Sequence, residues 1–182
     1  VIVGWGRSID FEDVNVSGSV IDVSQPTLSN SIRDVGTVVG LLWYSSTMQD
    51  VTVTSSTLSG GSDVGGVIGE AKSAVSIDRV SFTGTVMGGS TIGGIVGFAD
   101  EGVALVDVTA EATVSSTGPT TGGIAGEMEE TRATNVRFTG SVKGAKNGIG
   151  GIAGILEKTS RVEQASFRGE VIASGGDRVG GI

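Results

Sequence analysis

Cysteine and histidine are both absent from the 182 residues of the sequence. Disulfides, cysteine nucleophiles, histidine-dependent catalytic triads and zinc sites with these ligands are therefore excluded within this chain. Proline occurs only 2 times and aromatic residues make up only 4% of the chain, which is unusual for a globular enzyme. No stretch reaches the roughly 18 consecutive apolar residues that a membrane-spanning helix needs. We therefore expect no membrane insertion of this segment.

Basic residues are also scarce, because 12 lysines and arginines stand against 20 aspartates and glutamates. The resulting formal charge of −8 repels the phosphates of nucleic acids, and no basic arm offsets it. We therefore expect no nucleic-acid partner.

Glycine, in contrast, is abundant, and many of the 32 glycines recur at fixed positions of a six-residue pattern. The pattern occurs in Val64–Gly69, Ile92–Gly97, Thr121–Gly126 and Ile149–Gly154, more loosely in Val35–Gly40, and in part at Val179–Ile182. From Gly69 to Gly97 is 28 residues, and from Gly97 to Gly126 is 29. A period of this length is typical of repeat proteins such as solenoids.

Between these copies lies a second repeated stretch, in which apolar side chains alternate with hydroxyl-bearing ones. It occupies Phe11–Val20, Met48–Thr57, Ile77–Val86, Leu105–Val114, Ala133–Val142 and Val162–Val171. Such alternation predicts a strand buried on one face. Stacking the copies predicts two adjacent apolar columns, one of Val14, Val51, Val80, Val108, Val136 and Ala165, the other of Val16, Val53, Phe82, Ala110, Phe138 and Phe167.

The two stretches together predict an all-β fold. No segment combines helical apolar periodicity with good helix formers, so each repeat is interpreted as one coil of a parallel β-solenoid, or β-helix. Residues 1–182 then form a single repeat array of about six coils of 28–29 residues, open at both ends. Because the chain starts and stops inside a repeat, we expect it to be a fragment of a longer chain. The longer first interval predicts an insertion loop near residues 23–31.

The glycine pattern contains one row of apolar residues, with one member from each copy: Val39, Ile68, Val96, Ala125 and Ala153. In one interpretation the paired glycines turn a corner, through a positive φ or a close backbone approach, and the apolar residues around it lie in the core. In the other, the row is a flat stripe through which the chain associates with other copies or with other segments of its parent protein.

The outward side of the second stretch is the best candidate for a binding face. Its hydroxyl-bearing residues are Thr52, Thr54, Ser81, Thr83, Thr85, Thr109, Thr113, Thr139 and Ser141, and Ser56 is assigned to the same face. Flat threonine arrays on β-solenoids resemble the ice-binding surfaces of some antifreeze proteins, and glycan binding is a second possibility. An ordinary exposed strand face with hydroxyl ladders is the alternative. Charged residues interrupt the array in the last three coils.

Carboxylates are the remaining candidates for chemistry, and their pairs are Glu12-Asp13, Asp100-Glu101 and Glu129-Glu130. Two pairs fall in the turn after the glycine pattern, where other repeats also carry charge. This placement is typical of a solvated corner, whereas catalytic carboxylates converge in one cleft. We therefore expect no enzyme activity, no metal site and no cofactor. A further polar row precedes the core valines and predicts a structural ladder of side chains: Asp13, Asp50, Arg79, Asp107, Asn135 and Gln164.

The repeat resembles the GLUG motif of bacterial proteins. In that motif a Val-Gly-Gly-Leu-Val-Gly strand is followed by a polar turn, a second strand ending in Thr-Gly-x-Val, and a link rich in serine and glycine. Ile92–Gly97 matches the first part, Ser81–Val86 and Arg137–Val142 match the second, and Met87–Ser90 matches the link. Isoleucine or valine replaces the leucine of the motif, and valine replaces its cysteine. The resemblance covers nearly the whole chain and is clearest from Gly60 onward.

The resemblance implies a cell-surface or secreted location, because GLUG repeats occur in large adhesin-like proteins and beside the catalytic part of some immunoglobulin-A proteases. The repeats themselves have no known chemistry. Our first hypothesis is a non-enzymatic stalk, adhesin shaft or filament scaffold in an extracellular bacterial surface protein, with surface glycans as further partners. The alternatives are a glycan- or ice-binding module that uses the hydroxyl-rich face, and a carboxylate-dependent polysaccharide enzyme.

Overall fold

The computed structural model describes residues 2–23, 32–176 and 178–181. These residues contain the following strands, in chain order: β1 (Val3–Arg7), β2 (Asp10–Glu12), β3 (Asn15–Ser17), β4 (Val20–Asp22), β5 (Val35–Gly36), β6 (Val39–Trp43), β7 (Thr47–Ser59), β8 (Asp63–Gly65), β9 (Ile68–Lys72), β10 (Ser76–Gly88), β11 (Thr91–Gly93), β12 (Val96–Asp100), β13 (Ala104–Ser116), β14 (Thr120–Gly122), β15 (Ala125–Glu129), β16 (Arg132–Gly144), β17 (Ile149–Gly150), β18 (Ala153–Glu157), β19 (Arg161–Glu163), β20 (Ser166–Ala173) and β21 (Val179–Gly180). In the described part of the chain there is no helix of the length and apolarity needed to cross a membrane. The predicted insertion loop near residues 23–31 lies, apart from Val23, outside the described residues.

The strands stack into three parallel sheets. The long sheet contains the 13-residue strands β7, β10, β13 and β16, with β2, β3, β4, β19 and β20 at its ends. The pre-corner sheet (β5, β8, β11, β14, β17, β21) and the post-corner sheet (β1, β6, β9, β12, β15, β18) are named for the Gly-Gly corner that joins them. The chain visits each sheet once per coil and makes about 5 turns. The predicted all-β parallel solenoid is confirmed.

The predicted apolar columns form the core of the long sheet. Val51, Val80, Val108 and Val136 are at most 1% exposed, and Val108 pairs with Val136 across β13 and β16. The second column is equally in register, from Val16 through Phe82 and Ala110 to Phe167. Equivalent residues of successive repeats are therefore neighbours along one axis.

The pre-corner and post-corner sheets pack backbone against backbone. A Cβ atom on Gly93 would lie 2.1 Å from the carbonyl oxygen of Val96, and one on Gly97 would lie 2.6 Å from the amide nitrogen of Val64. Real Cβ atoms essentially never come closer than 3.0 Å to such atoms. Equivalent glycines line both sheets in other coils: Gly36, Gly65, Gly122 and Gly150 before the corner, and Gly40, Gly69, Gly126 and Gly154 after it. Only glycine allows this close approach.

The glycines at the corner itself also permit close approach of neighbouring atoms, and they do not provide a left-handed backbone. Gly66, Gly94, Gly123 and Gly151 have no positive φ. A Cβ atom on Gly94 would nevertheless lie 2.1 Å from the carbonyl oxygen of Gly123, and one on Gly123 would lie 2.5 Å from the ring of Phe138. The aromatic residues of the long sheet therefore rest directly on the backbone of the corner.

The interpretation of the apolar row as an association stripe is wrong. Its members Val39, Ile68, Val96 and Ala125 are 0% exposed and belong to the hydrophobic core, and Ala153 is half-buried. The preceding residue, for example Ile95, is also 0% exposed. The chain bends at the corner between the two positions, so both are buried and neither offers a surface. This is the arrangement that the corner interpretation predicts.

The polar row ahead of the core valines has a left-handed backbone in every coil, with φ between 52° and 54°. Asp and Asn enter this region more readily than most residues, which suits four of the six positions. The side chains also join neighbouring coils: Arg79 Nε donates to Asp50 Oδ1 at 2.7 Å, and Asn135 donates to Asp107. The predicted ladder of polar side chains is therefore present.

Replacing Gly94 with valine should lower the free energy of unfolding by roughly 3 kcal/mol, because the side chain would overlap the backbone of the next coil. Urea unfolding followed by circular dichroism measures the change. Gly4→Val is the control, since a Cβ atom on Gly4 meets nothing within 4 Å. If both variants were equally stable, the tight corner would not limit which residue is allowed there.

Candidate functional site

The long sheet brings the predicted hydroxyl-bearing residues together on its outer side. They form three rows along the axis: Thr52-Ser81-Thr109, Thr83-Glu111-Thr139 and Thr85-Thr113-Ser141. Thr54 lies beside them on β7. Ser81 Oγ donates a hydrogen bond to Thr52 Oγ1 at 3.3 Å. Thr109 and Thr113 are exposed, and the other predicted members are half-buried. We call this surface the hydroxyl face.

One residue of the prediction is misplaced, because β7 contains a bulge. The register between β7 and β10 shifts between Phe82 and Gly84, and Ser55 has a φ of 53°. The extra residue turns Ser56 inward, where it is 0% exposed. The assignment of Ser56 to the outward face is therefore wrong. Thr57 takes its place and extends the third row to Thr57-Thr85-Thr113-Ser141.

Charged side chains divide the hydroxyl face, as the sequence predicts. Glu111 separates Thr83 from Thr139, and Arg137 follows Thr109 in its row. A shallow groove of about 170 Å³ lies here, lined by Ser81, Thr83, Thr109, Glu111, Arg137 and Thr139. Ligand pockets that enclose a small molecule usually measure about 300–1,000 Å³. The groove suits a molecule that lies on the surface and hydrogen-bonds to mixed hydroxyl and charged groups.

The acidic pairs that follow the glycine pattern lie at the turns that leave the post-corner sheet. Glu101 and Glu130 are exposed there. Lys158 Nζ lies 2.6 Å from Glu129 Oε2 and 3.5 Å from Glu130 Oε1, so one lysine binds carboxylates of the coil below. Its hydrogen bond to Glu129 raises the pKa of Lys158. The third pair, Glu12-Asp13, lies at the end of β2 instead. These positions fit the predicted solvated corner.

One group of three carboxylates among the described residues is compact enough to face a single cation. Oxygens of Glu127, Glu129 and Glu157 lie within 4.8 Å of one another. Burial, together with the charges of the other two, raises the pKa of Glu127. The converging atoms are one oxygen from each of the three side chains, fewer than the 6–8 that calcium takes, and Lys158 already binds Glu129. We assign no metal to this group, and the expectation of no metal and no cofactor stays a prediction.

A carboxyl pair joins the pre-corner and post-corner sheets in an early coil. Burial first, then the charge of Glu70 and a hydrogen bond with it, raise the pKa of the half-buried Asp34 to about 7. Lys72 Nζ lies 2.7 Å from Glu70, and Arg33 lies 3.2 Å from Asp63, so nearby cations partly balance the acids. Asp34 therefore keeps its proton up to about neutral pH.

Comparisons of the chain with protein-family models, with curated proteins and with solved structures find no match. The candidate functions are therefore inferred from the repeat pattern and from the surfaces of the described residues.

The raised pKa of Asp34 predicts that this residue contributes stability that is lost as the pH rises from about 4 to 7. The folded state holds the proton up to about pH 7 while the unfolded chain releases it near 3.8, so the stabilisation is complete below 3.8 and lost above 7. Asp34→Asn keeps a donor for Glu70 and should flatten this dependence. We expect it to raise stability at pH 8 by roughly 1 to 2 kcal/mol, discounted because solvent screens a half-exposed group.

Urea unfolding at pH 5 and pH 8 measures this effect. Glu12→Gln removes the same charge from an exposed side chain and separates a local effect from one of net charge. Equal pH dependence in Asp34→Asn and the unmodified protein would show that Asp34 holds no proton in the folded state.

Proposed function

We propose that the chain is a non-enzymatic structural segment of an extracellular bacterial surface protein, acting as a stalk, adhesin shaft or filament scaffold. The observation that carries this proposal is the in-register stacking of equivalent residues, such as Val51 on Val80 and Val108 on Val136. Each coil adds one set of backbone hydrogen bonds and one layer of core, so the rod lengthens without a new fold. Its mechanism is mechanical, because it spaces or presents the parts attached to it.

Two further features support the structural role over catalysis. The repeat resembles the GLUG motif, and this resemblance implies a secreted or cell-surface location. Among the described residues, two of the acidic pairs lie at solvated turns, and Lys158 binds across them without forming a cleft. The partners that fit this role are other copies or segments of the parent protein, and surface glycans.

Duplicating residues 91–119 tests the spacing mechanism. Thr91 pairs with Thr120, so a second copy of this segment re-enters the stack in register. Each added copy should lengthen the rod by about 4.8 Å, the separation of neighbouring strands. Because the chain has no cysteine, spin labels on Ser17→Cys and Ser166→Cys report this distance alone. A distance that does not grow with the number of copies would contradict growth by stacking.

The same cysteine variants test whether the protein is displayed on the cell surface. In the host bacterium, a membrane-impermeant maleimide should label Ser166→Cys on intact cells and leave the unmodified chain unlabelled. Labelling only after the cells are broken would contradict a surface role.

A glycan- or ice-binding module is the second candidate function. The specific observation in its favour is the row Thr57-Thr85-Thr113, in which hydroxyl-bearing residues recur at the regular spacing of neighbouring strands; Ser141 continues the row, but its Oγ is buried. Glu111 and Arg137 break the adjacent rows, and an ice surface tolerates such charges poorly. The groove between them favours a glycan over ice, because its carboxylate and guanidinium groups bind sugar hydroxyls.

Thr83→Tyr should abolish binding on a glycan array, or thermal hysteresis, if the hydroxyl face is used, because the ring would fill the groove. Thr134→Tyr is the matched control, since Thr134 lies on β16 outside the groove. Loss in both variants would mean that the hydroxyl face is not the surface responsible.

A further inference from the structure

The two tryptophans and the single tyrosine of the chain meet at one place on the post-corner sheet. The ring centroids of Trp5 and Trp43 are 6.5 Å apart, and those of Trp43 and Tyr44 are 4.5 Å apart. Trp5 is 57% exposed and Tyr44 is 42% exposed. We call these three residues the aromatic patch. Such a concentration of exposed aromatic surface in a chain with few aromatics marks an interaction site.

The aromatic patch departs from the repeat. The position of Trp43 is occupied in the other coils by the charged residues Arg7, Lys72, Asp100, Glu129 and Glu157. The position of Tyr44 is occupied by Ser8, Ser73, Glu101, Glu130 and Lys158, and all of these share its left-handed φ. A bulky aromatic residue is unfavourable in this conformation. The fold therefore accepts charged residues at the position of Trp43 and small or charged residues at the position of Tyr44. The need to stack does not explain the aromatic residues at these positions.

Hydrogen bonds hold the central ring in place. Trp43 Nε1 donates to Ser73 Oγ at 2.9 Å, and Ser73 in turn donates to Glu101. These bonds join three successive coils. A ring fixed in this way loses little conformational entropy when a ligand packs on the patch.

A cation is fixed beside the rings. The guanidinium carbon of Arg7 lies 4.6 Å from the centroid of Tyr44 and 5.8 Å from that of Trp43, within the range of cation–π attraction. Lys72 also lies over Trp43, at 5.3 Å, but it is paired with Glu70. Among the described residues, Arg7 has no carboxylate partner. Its guanidinium charge is therefore not neutralised by an ion pair in the described part of the chain.

We propose that the aromatic patch and Arg7 form a binding site for an acidic saccharide, one that carries a carboxylate such as a uronic or sialic acid. The flat apolar face of a pyranose ring packs on Trp5, the most exposed ring. Its carboxylate accepts hydrogen bonds from the guanidinium of Arg7, whose orientation the rings already fix. Tryptophan, tyrosine and arginine are also the residues that contribute most strongly to binding surfaces. This site is separate from the hydroxyl face and does not depend on the stalk role.

Tryptophan fluorescence tests the proposal directly, because both tryptophans of the chain lie in the patch. Trigalacturonate and 3′-sialyllactose are titrated at low ionic strength, with maltotriose and lactose as their neutral counterparts. We expect a saturable change with an acidic saccharide and a weaker response to its neutral counterpart. No saturable change with either acidic saccharide would overturn the proposal.

Two variants test which arginine contributes to saccharide binding, with the affinity measured by calorimetry. Arg7→Gln should weaken binding of the acidic saccharide by roughly tenfold and leave the neutral one unchanged. Arg137→Gln is the matched control, because it removes the same charge from the hydroxyl face. Equal weakening in both variants, or none in Arg7→Gln, would overturn the proposal. Circular dichroism confirms that each variant is folded.

Trp5→Ser separates a saccharide site from a self-association surface. The side chain is exposed on β1, so the variant keeps the core, and we expect it to lose saccharide binding while its mass by light scattering stays unchanged. If the unmodified protein formed dimers and Trp5→Ser dissociated them, the patch would be an interface between copies, and the saccharide proposal would be wrong.

Discussion

Direct backbone contact between the pre-corner and post-corner sheets is the constraint on which the rest of the structure depends. Sheets that face each other through side chains usually stand about 10 Å apart. Here Gly93 and Gly97 remove the side chains from both faces, so the chain reverses direction within one narrow corner. The side chains of the long sheet then fill the remaining space. Phe82 and Phe138 lie against the corner glycines Gly66 and Gly123, which links the glycine pattern to the apolar columns.

Stacking in register also decides how charge is arranged. Identical positions of successive coils are neighbours, so a charge that recurred in every coil would repel its own copies. The left-handed row avoids this by varying its residues, with Arg79 bound to Asp50 and Asn135 bound to Asp107. At the turn after the post-corner sheet, Lys158 binds the acids of earlier coils. At Asp34, where the nearby cations Arg33 and Lys72 pair with Asp63 and Glu70, the carboxyl group holds a proton instead.

The fold and its core could be predicted from the sequence, because the period and the alternation of apolar residues are both visible in it. Val80 and Val108 follow that alternation, and the structure places them as predicted. The bulge in β7 could not be found in this way, since residues 54–57 all carry hydroxyls and no apolar residue marks the shift. Alternation does not reveal that the row containing Val96 is buried, because it stops at a bend, where two consecutive residues are buried.

The hydroxyl face could be predicted because its residues follow the repeat. The residues of the aromatic patch differ from their equivalents in the other coils. The signal for the patch was present in the sequence: aligning the turns shows Trp43-Tyr44 where the next coil has Lys72-Ser73. This signal could be interpreted only with the structure, because Trp5 and Arg7 are far from Trp43 in the chain and become its neighbours only through stacking.

In a solenoid, the residues that recur are explained by the need to stack, and they carry little information about a ligand. The departures from the repeat are then the places where a specific function is most visible. Both the aromatic patch and the Asp34–Glu70 pair lie in the coils formed by the first half of the chain, whereas the coils from β12 to β17 follow the pattern closely. The two proposed roles do not conflict, since in them regular coils provide length and a few exceptional side chains provide recognition. The long sheet and the glycine corner remain the same in both parts, so recognition residues are added without disturbing the stack.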